Sequence, residues 1–241
     1  MCENAMPEKT HVWITGAGSG LGAALAHCLG PEFNISLSGR RAGHLDEAMV
    51  AIGQERGFVV PCDVADDDSV RQAHERIVKQ FGPVDVLVNG AGIASFDSAL
   101  STTIQNTHQQ LNINLLGVIR CIQSVLPGMV ERGSGMIMTL NSVAAVTVFE
   151  NCTSYAASKA GLLAYTRGLR KEVRSSGVKV VDLIVGATAT PIWSADMLEA
   201  HQSRMMQPND VANVMKDVIL RRSHATMMVE ELTIRPQLGD L

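Results

Sequence analysis

The chain has 241 residues, of which 46% are hydrophobic and 18% charged, so it can build a continuous core and is not a disordered chain. That length fits one large α/β domain or two small ones. A formal net charge of -4, a pI near 6.0 and only 4% aromatic residues leave neither the basic footprint nor the stacking surface that nucleic acid requires.

Residues 1–10 are expected to be a short extension that carries Glu3, Glu8 and Lys9 without an apolar run and does not read as a signal peptide. Val12 to Thr15 reads as a first strand, and Gly20 to Leu29 as a helix of small residues closed by Gly30-Pro31. Phe33 to Leu37 is a second strand, Ala42 to Gly53 a helix and Phe58 to Val60 a third strand. Asp66 to Phe81 is a helix that opens on an acidic cap and stops at Gly82-Pro83. Val84 to Val88 is a fourth strand, followed by one long helix from Ile104 to Glu131. Met136 to Leu140, Val178 to Val185 and Met227 to Ile234 supply strands five to seven, separated by helices at Tyr155 to Ser175 and Asn209 to Leu220. Strands and helices alternating at this spacing predict right-handed crossovers and one domain over residues 11–241. Its architecture is α/β: a Rossmann-like, doubly wound parallel sheet of seven strands with helices on both faces, in three layers.

Val178 to Trp193 is the best candidate for a membrane span, but Lys179 and Asp182 interrupt it, so no membrane partner is expected. Cys2, Cys28, Cys62, Cys121 and Cys152 are scattered and odd in number, which suits reduced thiols in a cytoplasmic protein. The seven histidines show no ligand spacing, so no metal is expected.

Thr15-Gly16-Ala17-Gly18-Ser19-Gly20-Leu21-Gly22 lies where the first strand hands over to the first helix. Glycines there allow a tight turn and close approach of backbone to a pyrophosphate, and the helix start offers unpaired N–H groups. Gly16, Gly18, Ser19, Gly20, Leu21 and Gly22 are therefore candidate nucleotide ligands. An acid at the end of strand two would grip the ribose of NAD, but here Ser38-Gly39-Arg40-Arg41 stands in its place. Two guanidinium groups suit a 2′-phosphate, so NADP(H) is favoured, with NAD(H) the alternative. Asp63 and Val64, just past strand three, are positioned for an adenine amino group.

Tyr155 and Lys159 stand at i and i+4 on one helix face. A phenol titrates near 10, and a neighbouring ammonium would favour its ionised form. Ser142 lies near the carboxyl end of strand five, the edge where open α/β sheets bind ligands, so its hydroxyl can meet the same substrate oxygen.

With these motifs together, the chain resembles the short-chain dehydrogenase/reductase family from Thr15 to about Pro191. The resemblance implies that Tyr155 is the acid/base, that Lys159 binds the nicotinamide ribose and tunes the phenol, and that Ser142 orients the carbonyl. It further implies that Asn114, rather than Asn112, supports a water-linked proton relay. Asn89, Ala91 and Gly92 match the turn after strand four, and Gly186, Thr188 and Thr190 match the nicotinamide end of the cofactor site. Three departures stand out: Gly90 where the family has a second Asn, Asn141 where a Ser is common, and Val185 in place of a Pro. The first predicts a looser turn beneath the adenosine and the last the loss of a conformational lock. The C-terminal part is similar to sepiapterin-reductase-like members. The family's habit of pairing through the helices that carry Asn114 and Tyr155 implies a homodimer or homotetramer.

Residues 191–208 are expected to form a substrate lid carrying Trp193, Met197, Met205 and Met206. With Val146, Val148, Phe149 and Cys152 they suggest an apolar pocket in which Ser142, Phe149 and Trp193 meet the substrate. The leading expectation is thus an NADP(H)-dependent reductase of a small ketone or aldehyde. The alternatives are an NAD-dependent alcohol dehydrogenase working oxidatively and, from another class, a nucleotide-binding protein without catalysis.

Overall fold

Val12 and Ile14 enter one core and Trp13 the other, because successive side chains of a strand point to opposite faces. All six residues of that strand, β1 (Thr10–Thr15), are buried. The same holds for β4 (Val86–Asn89), and nearly so for β5 (Gly135–Ser142) and β6 (Val178–Val185). These apolar runs without alternation are the mark of a sheet covered on both sides. With β2 (Phe33–Gly39), β3 (Gly57–Pro61) and β7 (Glu231–Ile234) they form one sheet in the order β3-β2-β1-β4-β5-β6-β7, parallel at every pairing. This is a computed structural model and describes residues 9–53 and 55–241.

Helices α1 (Gly20–Cys28), α2 (Ala42–Ile52) and α8 (Pro208–Leu220) close one face through Leu25, Leu45, Val211 and Met215. Helices α3 (Asp67–Phe81), α4 (Ile104–Leu111), α5 (Gly117–Arg132) and α6 (Thr153–Val173) lie on the other, where Ile77, Ile122 and Leu162 fill the core. The three-layer, doubly wound architecture expected from the sequence is the one observed. Strand order reverses between β1 and β4, which opens a crevice at the carboxyl ends of the strands. The acidic cap of α3 is also as expected: the Asp66 carboxylate accepts the Ser69 N–H at 2.6 Å.

Four boundaries differ for physical reasons. Thr10 opens β1 by pairing with Phe33 instead of closing an extension; residues 1–8 of that extension lie outside the described residues. β5 continues to Ser142, which is in register with Val185 of β6. β7 starts only at Glu231, short of the expected Met227, whose carbonyl accepts instead from Lys179; the Glu230 carbonyl, just before the strand, takes both the Asp182 N–H and the Arg170 side chain. The long helix is broken into α4 and α5 by a π turn at Asn112–Leu116. Taken together, Ile104–Arg132 is long and apolar enough by length and composition to cross a membrane, contrary to the reading of the sequence. Polar residues are interspersed along it, so no unbroken apolar run marks it; Val118, Ile122, Val125 and Met129 pack one face into the core.

The core contains charge as well. Asp182 of β6 has no solvent exposure; Arg170 donates to it at 2.7 Å and Thr166 at 2.9 Å. Arg170 also reaches the Val180 carbonyl at 2.8 Å and Glu231 at 3.4 Å. Removing one partner of such a pair leaves an uncompensated buried charge, at a cost of about 3–5 kcal/mol.

His11 is buried in β1 with Nδ1 3.0 Å from the Gly82 carbonyl and Nε2 2.8 Å from the Ser36 hydroxyl. Burial lowers its pKa, outweighing the Gly82 and Pro83 carbonyls and Asp85, which favour the charged ring. A neutral ring favoured by folding stabilises the protein above the ordinary histidine value, and that contribution is lost as the pH falls through about 6.5 and below. The melting temperature should therefore fall more steeply between pH 7 and 5 in the wild type than in His11→Gln. Equal slopes in calorimetry would refute this.

Candidate active site

Backbone packs on backbone at the glycine turn. Gly16 has φ +70°, and a Cβ there would lie 2.6 Å from the Gly90 carbonyl oxygen; one on Gly22 would lie 2.5 Å from that of Gly16. Ser19 precedes α1 without capping it through its side chain, so the first N–H groups of the helix stay available. The Thr15 hydroxyl accepts the N–H groups of Gly90 (3.2 Å) and Ala91 (3.3 Å), tying the two turns together. The turn at Gly90 is thus not loosened by its departure from the family pattern: a Cβ on Gly90 would sit 2.8 Å from the Thr15 carbonyl oxygen.

These turns form one end of a single cavity of about 1050 Å³. Gly16, Gly18, Ser19, Gly20, Leu21 and Gly22 line it, as do Arg40, Arg41, Asp63 and Val64. Ala91, Gly92, Gly186, Thr188 and Thr190 continue its wall towards Ser142, Tyr155 and Lys159. The cradle of glycines, the open helix start and two exposed guanidinium groups fit a phosphate-bearing dinucleotide. His44 also lines this end and escaped the sequence reading; its place in the first turn of α2, three residues after Arg41, was the available signal. Asn89 is the exception among the expected cofactor residues. β4 extends through it and buries its side chain behind the wall, where neither amide atom has a partner among the described residues.

The other end is built on α6 and the tip of β5. Tyr155 and Lys159 are both buried, and the Lys159 ammonium donates to the Leu140 carbonyl at 2.8 Å while lying 5.9 Å from the centre of the Tyr155 ring. The π turn presents Asn114 to the same place, in keeping with the association of such turns with functional sites. Its Oδ1 accepts the Ile93 N–H, and its Nδ2 donates to the Ile93 carbonyl and, at 3.0 Å, to the Ser158 hydroxyl. Ser158, missed in the sequence, donates in turn to the Tyr155 carbonyl at 2.7 Å. Asn112 points elsewhere and accepts from Arg120. Asn114 therefore sits behind Tyr155 and Lys159 rather than on the cavity wall.

Burial pushes the Tyr155 phenol up to about 12, with the Ser142 hydroxyl beside it pulling the other way. Burial pushes Lys159 down to about 8, opposed by the Asp182 carboxylate. The lowering expected of a neighbouring ammonium is not seen in the protein alone, where desolvation outweighs the Ser142 hydroxyl.

At the substrate end Phe149, Cys152, Trp193 and Met197 line the cavity. Val146 (51% exposed) and Val148 (95%) do not, since they point to solvent, and Met205 is drawn into the core. Met206 pairs with Thr188. Residues 191–208 hold a helix the sequence did not announce, α7 (Ala195–His201), capped by Ser194. Phe96, a lone aromatic in coil with no sequence signal, stacks on Trp193 at 4.9 Å and meets Tyr155 edge-on at 5.9 Å. The Trp193 indole donates to the Thr188 carbonyl at 3.1 Å. Arg204 lines the rim and donates to the Asp240 carbonyl. Burial raises the Cys152 thiol pKa, which leaves it unactivated. Val185 needs no proline lock, since the following Gly186 N–H is held by the Ile234 carbonyl at 2.8 Å.

The short chain dehydrogenase family matches residues 10–200, and the chain belongs to that family. With it comes membership of the NAD(P)-dependent oxidoreductases that interconvert CH–OH and C=O groups. An uncharacterized oxidoreductase of Staphylococcus aureus is 30% identical over 224 residues, covering 92% of this chain and 95% of its own. Among solved structures, a variant of actinorhodin polyketide ketoreductase with NADPH is 27% identical with a TM-score of 0.86, covering 97% of this chain and 98% of that one. An alcohol dehydrogenase from Thermococcus sibiricus complexed with 5-hydroxy-NADP shares the fold at 24% identity and a TM-score of 0.85, covering 97% of this chain and 99% of that one.

Proposed function

We propose that this oxidoreductase reduces a small ketone or aldehyde with NADPH, Tyr155 giving the proton. The observation that carries the reading is the joining, in one cavity, of the glycine cradle with Arg40 and Arg41 to the Ser142, Tyr155 and Lys159 cluster. The similarity to a ketoreductase solved with NADPH supports it. When bound, the nicotinamide would supply hydride to the carbonyl carbon.

The residues of the chain do the rest. Ser142 hydrogen-bonds the carbonyl oxygen, and the Tyr155 hydroxyl donates its proton to that oxygen as negative charge develops there. Lys159 stabilises the phenolate left behind and, through the Leu140 carbonyl, stays where its charge is felt. Asn114 and Ser158 hold the backbone of Tyr155 and of Ile93 in place from behind the cavity wall. Phe96, Phe149 and Trp193 provide apolar walls for the body of the substrate. We place the protein in the cytoplasm as a homodimer or homotetramer; a monomer in sedimentation at micromolar concentration would refute the assembly.

Tyr155→Phe should retain nucleotide binding and lose at least about a hundredfold in kcat, the usual contribution of a positioned proton donor. Turnover close to wild type would end the assignment. Arg40→Asp should weaken NADPH binding by more than about tenfold while NADH binding holds or improves, since it exchanges a phosphate donor for a ribose-binding carboxylate. An unchanged ratio of the two affinities would favour the alternative, an NAD-dependent alcohol dehydrogenase working oxidatively.

A further inference from the structure

Aromatic residues are scarce in this chain: five Phe, two Tyr and two Trp. Four of these nine, Phe96, Phe149, Tyr155 and Trp193, line the one large cavity, and the other five do not. They reach it from four places, namely the coil after β4, the loop after β5, α6 and the segment before α7. A merely apolar wall would not call for rings, since most of the buried core of this protein is Val, Leu and Ile.

Phe96 and Trp193 stack with their centroids 4.9 Å apart and their planes 11° from parallel, and Phe96 meets the Tyr155 ring at 5.9 Å and 64°. These are the stacked and edge-on arrangements that the ring quadrupole favours. Both rings are held from outside the stack. The Trp193 indole donates to the Thr188 carbonyl at 3.1 Å, and its backbone N–H to the Thr190 carbonyl at 3.2 Å. Beside Phe96, the Ser95 N–H donates to the buried Gln110 side chain at 3.3 Å. Phe149 packs on the cluster of Ala144, Cys152 and Tyr155. The stack covers only one face of each ring, and Phe96 keeps 40% of its surface exposed, so ring surface is left for a further partner. The charged side chains give no comparable preference: Glu150 and Arg204 are exposed and opposite in sign, and Asp240 is paired with Arg235.

We propose that the substrate is an aryl ketone or aldehyde, with an aromatic ring on the carbonyl carbon, and that Phe96 and Trp193 select it. The proposal rests on the reading of Tyr155 as proton donor to that carbonyl. With its oxygen at Ser142 and Tyr155, the carbonyl places its substituent beside the Tyr155 ring, where Phe96 already makes its edge-on contact. A planar ring there continues the series of rings that runs from Trp193 through Phe96. A saturated ring of the same size buries similar apolar area, but it has no quadrupole to align and cannot lie flat. Because Trp193 and the neighbour of Phe96 are fixed by hydrogen bonds beforehand, little ordering is required when the substrate enters.

The test pairs acetophenone with cyclohexyl methyl ketone, which share a carbon skeleton and differ in the ring. Their intrinsic reactivities differ, so the readout is how the ratio of their kcat/KM values changes from wild type to variant. In Phe96→Leu with Trp193→Leu the preference for acetophenone should fall about tenfold, the discrimination that two ring contacts supply, with Phe96→Leu alone falling in between. An equal loss on both ketones would show that the rings serve only the fold, and it would overturn the proposal, as would an unchanged ratio. Phe96 lies partly exposed in coil, so its single variant decides the matter should the double variant not fold. Calorimetric titration with the oxidised nicotinamide nucleotide bound measures the same preference without turnover. Acetophenone should bind the wild type about tenfold more tightly than the cyclohexyl ketone, and equal affinities would overturn the selection of rings. If the wild type reduces neither ketone yet binds acetophenone with that preference, it is the proposed function that fails while the aromatic selection stands.

Discussion

Lys159 holds its ammonium inside the protein against one backbone carbonyl, that of Leu140. Placing a cation at 6% exposure is costly, and much of the surrounding layer answers to it. The helix must begin where Lys159 can reach the tip of β5, which sets Tyr155 one turn earlier on the same face. The tip must then remain in strand geometry through Ser142, and pairing with β6 as far as Val185 keeps it there. Even the irregular turn at Asn112–Leu116 serves this arrangement, by turning Asn114 towards Ser158 and so bracing α6 from the opposite side.

At the other end of the cavity the constraint is steric instead of electrostatic. Thr15, Gly16 and Gly90 interlock so closely that side chains at the two glycines would meet backbone oxygens. The nucleotide cradle is therefore shaped by what is missing from it, and a hydroxyl from β1 fixes the neighbouring turn. The two ends are joined by the sheet itself, whose strand order reverses at that point.

The sheet was legible because β1, β4 and β6 are short apolar runs with clear stops, and the candidate site because Tyr155, Lys159 and Ser142 sit at chemically telling places that the fold brings to one cavity. Side-chain direction was harder to read. Asn89 sits in a motif that suggests contact with a nucleotide, yet one more residue of strand turns it into the core. Val146 and Val148 look like pocket walls from their position between Ser142 and Tyr155, but they point outwards. Phe96 and Ser158 carry no pattern of their own; what they touch is decided by loops and helices far away in sequence. The phenol of Tyr155 shows the same limit in energetic form, since the depth of burial that raises it cannot be read from a spacing.

Phe96 bridges Tyr155 and Trp193, and Trp193 is pinned to Thr188, so the segment above the cavity is mechanically coupled to the Tyr155 phenol. The chain has only two tryptophans. Trp13 lies sealed within the sheet, whereas Trp193 faces the cavity. The intrinsic fluorescence accordingly divides into a constant background and an optical signal from the site, and any occupant that parts Phe96 from Trp193 writes its arrival into the emission of a single indole.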